Sequence, residues 1–187
     1  AHAQGVLSLD AGVRPDDGTA SAAALLHDAE ASLATLPRRG GHALAVFDPS
    51  LHGRLFDREM LARDLRWALA NTGLHLVYQP VVDMRDNRLL GAEALVRWQH
   101  PARGNVPASL LVEVAEEFGL INDLGHWLVE EALHTMSSWS GLMNNRSVSI
   151  NASPIEIQRA DYAQRLEDAM KRHGIRADQL AVEITES

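Results

Sequence analysis

Two stretches decide the fold, Leu74-His-Leu-Val-Tyr-Gln-Pro-Val-Val82 and Leu89-Leu-Gly-Ala-Glu-Ala-Leu-Val-Arg-Trp98. Both are mainly apolar runs read as strands, and they are joined by the turn-like Asp83–Asn87. Two such runs so close together predict a hairpin. Further strands are expected at 147–151 (Ser-Val-Ser-Ile-Asn) and 180–185, with helices in the gaps. Helical spacing aligns Leu111, Val114, Ala115 and Phe118 over 107–119, and Leu124, Leu128, Ala132 and Met136 over 123–139. The same spacing aligns Tyr162, Leu166, Ala169 and Met170 over 154–173. Ser153-Pro154 supplies that last helix with an N-cap and a proline at its first position. One hairpin followed by alternating strands and helices predicts an α/β sheet, parallel after its first strand.

Upstream, 6–13 reads as a short strand and 42–47 as another, with a helix between them capped by Thr19 or Ser21 and stopped at Pro37-Arg38-Arg39-Gly40-Gly41. A segment of this size is marginal for a core of its own and is expected to be the tail of a larger domain. A second helix over 54–72 carries Leu61, Leu65, Ala68 and Leu69 on one stripe and ends at Asn71-Thr72-Gly73, glycine being the usual left-handed stop. The expected division is 1–49 for the small α+β segment, 50–73 for a connecting helix, and 74–187 for the α/β part.

The composition bounds the chemistry. Of 187 residues, 46% are hydrophobic and 22% charged, which excludes disorder throughout. Lys and Arg number 17 against 25 Asp and Glu, a net charge of −8. A DNA- or RNA-polymer binder needs clustered cations and is disfavoured. A small phosphate ligand, held by one Arg and a metal, is not. There is no Cys, hence no disulfide, thiolate zinc site or cysteine nucleophile. No apolar run approaches the roughly 18 residues of a membrane helix. The chain begins without Met and ends on a strand whose turn and helix are missing, so both ends are expected to be cut.

In parallel α/β folds, ligands meet the carboxyl ends of strands. Three strands carry a polar residue where Val or Ile would pack better: Glu93 inside the second, Asn151 ending the third, and Glu183 between Val182 and Ile184. Two carboxylates and an amide oxygen form a hard, all-oxygen set suited to Mg²⁺, Mn²⁺ or Ca²⁺ rather than zinc. The residues alone give a metal or polar-ligand site and nothing finer.

The spaced motifs Tyr78-Gln79-Pro80, Gly91-Ala92-Glu93-Ala94-Leu95-Val96-Arg97-Trp98-Gln99-His100-Pro101, Ala115-Glu116-Glu117-Phe118-Gly119-Leu120-Ile121, Ser149-Ile150-Asn151-Ala152-Ser153 and Glu183-Ile184-Thr185-Glu186-Ser187 resemble, in that order, the EAL domain of cyclic-di-GMP phosphodiesterases. The resemblance implies a modified TIM (β/α) barrel with an antiparallel first strand, of which 74–187 supplies the N-terminal half. It implies Glu93, Asn151 and Glu183 as metal ligands for Mg²⁺ or Mn²⁺, Gln79 and Arg97 as contacts to cyclic-di-GMP, and Glu186 as a residue steadying a nearby loop. The implied reaction is hydrolysis of cyclic-di-GMP to linear pGpG by metal-activated water. The family's later motifs, including its general base, fall beyond residue 187, so the chain alone is expected to be inactive and no catalytic base is assigned.

Residues 6–47 resemble the end of a GGDEF domain, carried by Ser8, Gly12 and Leu25-Leu26-His27-Asp28-Ala29-Glu30. The expected parent is a cytoplasmic GGDEF–EAL signalling protein, compatible with a homodimer and with an upstream sensor or membrane domain. The alternatives are a non-catalytic cyclic-di-GMP receptor and a regulatory module that dimerises through the connecting helix. Other signals are assigned to structure. His27, His126, His134 and His173 read as ordinary polar positions, His100 as shaping a loop, the four Trp as packing, and Glu116-Glu117 and Glu130-Glu131 as solvated helix faces.

Overall fold

A computed structural model describes residues 10–13, 43–46, 49–139 and 146–184, with isolated positions between 21 and 30. The chain divides into two compact units, Ala1–Met60 and Leu61–Ser187. In the first, strands β1 (Asp10–Val13) and β2 (Ala43–Val46) pair in parallel. Both fall within the expected strands; most of the intervening helix lies outside the described residues. Helix α1 (Pro49–Ala70) runs across the division between the units. It begins five residues earlier than its apolar stripe suggested, at a proline whose fixed φ suits a first helical turn.

The second unit is built on a sheet in the order β3 (Leu74–Val82), β4 (Leu89–His100), β6 (Ser147–Ala152), β7 (Leu180–Ile184), with the short β5 (Gly104–Val106) paired to the end of β4. The β3–β4 and β4–β5 pairs are antiparallel; β4–β6 and β6–β7 are parallel. This is the expected α/β arrangement of one hairpin followed by parallel strands. Helices α2 (Ala108–Glu117), α3 (Ile121–Ser138), α4 (Pro154–Ile157) and α5 (Tyr162–His173) fill the connections.

Alternation along the strands separates two faces. Ala94, Val96 and Trp98 of β4 and Val148 and Ile150 of β6 are buried against Leu111 and Val114 of α2 and Leu124, Leu128 and Met136 of α3. Leu61, Leu65 and Ala68 of α1 join the same core, so the stripe read from the sequence is the buried one. Gly91 marks a close approach of backbones: a Cβ there would lie 2.0 Å from the Ser147 carbonyl oxygen across the β4–β6 pair.

Three departures from the sequence reading have local causes. The helix expected over 154–173 is two helices, because the chain turns at 158–161, where Arg159 folds onto the Asp161 carboxylate at 2.9 and 3.0 Å. Strand β4 runs two residues beyond Trp98 and pairs with β5, a segment whose Gly and Asn have little strand preference. That pairing is held by His100, which is 6% exposed. Its Nδ1 accepts from the backbone N–H of Ala102 and Arg103, both at 3.1 Å. Nδ1 is therefore unprotonated, and Nε2–H donates to Asp64 of α1 at 3.1 Å. The loop-shaping role read for His100 is met. Trp67, expected to pack, is instead 56% exposed.

Candidate oxygen-ligand site

The sheet face opposite the helices carries Gln79, Glu93, Arg97, Asn151 and Glu183. Register pairs Gln79 with Glu93 across β3 and β4 and Asn151 with Glu183 across β6 and β7. Between β4 and β6 it sets Glu93 beside Ser149, so the four form a stepped row, its two pairs offset by two residues. The row is closed between β4 and β6 by a hydrogen bond, Asn151 Nδ2 donating to Glu93 Oε1 at 2.7 Å. Glu93 and Asn151 are half-buried, whereas Gln79 and Glu183 are exposed. Arg97 lies four residues further along the same face of β4, and its Nη1 donates to the Val96 carbonyl at 2.9 Å. Glu186 lies outside the described residues.

The donor chemistry of this row is specific. With its amide nitrogen turned to Glu93, Asn151 leaves Oδ1 as an acceptor, so the row offers an amide oxygen between two carboxylates. Among the described residues no three His, Cys, Asp or Glu side chains are grouped to hold a metal ion. A cation here would therefore take Glu–Asn–Glu oxygens, a set that fits Mg²⁺ or Mn²⁺ and not a soft metal.

Behind the row lies a second group that sequence reasoning did not join. Ser153 is 5% exposed and Glu156 7% exposed. Ser153 caps α4: its Oγ accepts from Ile155 N–H at 3.2 Å while its own N–H donates to Glu156 Oε2 at 2.9 Å. This is a capping box, and the Ser-x-x-Glu spacing announced it. The Ser153 hydroxyl also donates to Glu116 Oε1 of α2, at 2.6 Å. Glu116 is thus not the solvated residue its helix position suggested. Burial, and next the Glu116 charge, push the Glu156 carboxyl above its ordinary value, against the lowering effect of the Ser153 N–H. Gly125 makes room for Glu156, since a Cβ there would sit 1.5 Å from Glu156 Oε1. Arg97, Asn151, Ser153, Glu116 and Glu156 all line one cleft, between β4, α2, α3 and the end of β6.

Farther off, Glu130 of α3 also departs from a solvated role. It is paired with Arg172 and, at 2.9 Å, with His173 of α5. Burial pushes its carboxyl up, but the hydrogen bonds from His173 and Arg172 outweigh it and hold the pKa below the ordinary value.

A family model described as the EAL domain matches residues 62–187. The oxygen sensor protein DosP of Escherichia coli is 35% identical over 164 residues, covering 87% of this chain and 20% of that protein. The bifunctional diguanylate cyclase/cyclic di-GMP phosphodiesterase MucR of Pseudomonas aeruginosa is 30% identical over 164 residues, covering 87% of this chain and 24% of that protein. A solved structure, the PaMucR phosphodiesterase in complex with c-di-GMP, is similar with a TM-score of 0.65 and 34% identity, over 68% of this chain and 52% of that one. The chain spans about a fifth to a quarter of these curated relatives' length.

Proposed function

The chain belongs to the EAL domain family, and from that membership we propose that the intact domain hydrolyses cyclic-di-GMP to linear pGpG. The observation that carries the reading is the row Gln79, Glu93, Asn151, Glu183, with its Asn151–Glu93 hydrogen bond of 2.7 Å. Glu93, Asn151 Oδ1 and Glu183 would hold Mg²⁺ or Mn²⁺. A divalent ion, when bound, supplies an acidified water and offsets charge on the phosphoryl oxygens. Arg97 gives a phosphate oxygen a charge-assisted contact. Gln79, opposite Glu93, presents an uncharged amide to the dinucleotide at the outer strand.

In this reading residues 74–187 are the N-terminal half of the modified barrel, 50–73 the connecting helix and 1–49 the end of a GGDEF domain. The MucR match supports the last assignment: it covers 87% of this chain, more than the family-matched segment alone, and that protein's name joins the two activities. The 187-residue chain by itself is proposed to be inactive, since it spans only about a fifth to a quarter of the curated relatives it matches. We propose that the parent is cytoplasmic.

The test is Mg²⁺- or Mn²⁺-dependent turnover of cyclic-di-GMP by the full-length parent, with Glu93→Ala beside it. Turnover is expected to fall by at least a hundredfold in the variant. Unchanged turnover would overturn the metal assignment. Binding of cyclic-di-GMP with no turnover in the wild type would replace the enzyme with the receptor.

A further inference from the structure

We propose that Glu116 is a positioning residue for the oxygen row: acting through the Ser153 hydroxyl, it fixes the end of β6 and with it the Asn151 amide. The proposal rests on the metal-site reading above. The β6–β7 ladder ends at the pair Ala152 and Ile184, one residue past Asn151, so from Ser153 onward the sheet no longer restrains the backbone. Strand ends released in this way fray unless other bonds replace the ladder.

At Ser153 the replacement is a node of hydrogen bonds that differ in kind. Those to Ile155 N–H and Glu156 Oε2 are local, closing the first turn of α4 on itself. They fix the shape of the turn but not its place in the molecule. The bond to Glu116 spans 37 residues and reaches the last turn of α2. Its 2.6 Å length is that of a hydroxyl donating to a carboxylate, among the stronger neutral-to-ion contacts. Helix α2 is itself anchored, since Leu111, Val114 and Ala115 are fully buried. The path therefore runs from a core helix, through Glu116 and Ser153, to the end of β6, one residue past Asn151. Outer partners of this type orient the groups that hold a metal, and their loss usually costs ten- to a hundredfold in affinity.

Mn²⁺ affinity of the full-length parent, measured by water-proton relaxation without substrate, tests this. Glu116→Ala and Ser153→Ala are each expected to weaken Mn²⁺ binding about tenfold, and the double variant no further, because both cut one path. Glu116→Gln, which keeps an oxygen for the Ser153 hydroxyl, is expected to bind within about twofold of wild type. A merely structural role would lower the thermal midpoint without this rescue in affinity. Should Glu116→Ala not fold, Glu116→Asp, which draws the carboxylate back by one methylene, takes its place with the same expectation. Wild-type affinity in Glu116→Ala, or single effects that add in the double variant, would overturn the proposal. The Glu93→Ala variant separates the two ideas. If it abolishes binding while Glu116→Ala does not weaken it, only the positioning role falls. If it binds Mn²⁺ as wild type does, the metal site and the positioning role fall together.

Discussion

Glu156 carries a carboxyl group into a position that water barely reaches, with Glu116 as its charged neighbour across the Ser153 turn. Its pKa is raised above the ordinary 4.5 by burial first and by that neighbour next. For a raised carboxyl, the folded state is favoured while the group is protonated. Its contribution is fully present below the unfolded value of 4.5 and is lost as pH rises through the folded value. Replacing it with a neutral isostere removes this dependence. Glu156→Gln is therefore expected to gain roughly 1 kcal/mol at pH 7 and nothing at pH 4, the size usual for one polar substitution. Thermal unfolding at the two pH values checks it, and a loss at pH 7 equal to that at pH 4 would refute it. The spacing of Ser153 and Glu156 was legible as a capping box. The partnership with Glu116 was not, because nothing in a sequence reports that two positions 37 apart meet.

Among the elements, the hairpin and the parallel strands that follow it were readable because each is long or apolar enough for its own period to show. The elements that escaped are held by partners distant in sequence or by a side chain. Strand β5 is three residues long and pairs with β4 where His100 gathers two backbone N–H groups. The same ring donates to Asp64, so one buried imidazole ties α1 to the β4–β5 corner. That hydrogen bond is the largest influence holding the Asp64 carboxyl below its ordinary 3.8. A lowered carboxyl contributes stability above the unfolded value and loses it as pH falls through the folded one, here below 3.8. His100→Ala leaves the Ala102 and Arg103 amides without their acceptor, at a cost of about 2 kcal/mol in urea unfolding at pH 7. The acid limb of that variant is expected to flatten below pH 3.8, since Asp64 then has less to lose. An unchanged urea midpoint would show that solvent replaces the ring.

For the second unit as a whole, the helices cover one face of the sheet and the site occupies the other. Among the described residues, β3 and β7 are its outer strands, each with one unpaired edge. Val77, Val81, Val82 and Leu89 near β3, and Ile184 at the end of β7, are exposed apolar residues, and Met84 at the hairpin tip is 89% exposed. Free edges beside apolar side chains pair with other chains. The 187-residue chain is therefore expected to form larger species in light scattering as its concentration rises, and Val82→Lys to delay their onset at least twofold. A monodisperse wild type at the highest concentration reached would argue against edge pairing.

The sequence by itself determined the order and type of the long elements, the buried stripe of α1, and the three oxygen-bearing strand positions. Periodicity and composition are local properties, and a polar residue inside an apolar strand announces itself. Only the tertiary structure decided that Gln79, Glu93, Asn151 and Glu183 gather in one stepped row, which depends on register across four strands and on the Asn151–Glu93 hydrogen bond between them. It alone joined Glu116 to Ser153, and made Gly91 and Gly125 necessary as points of close approach. Such contacts follow from how elements pack, a relation that no single stretch of chain carries.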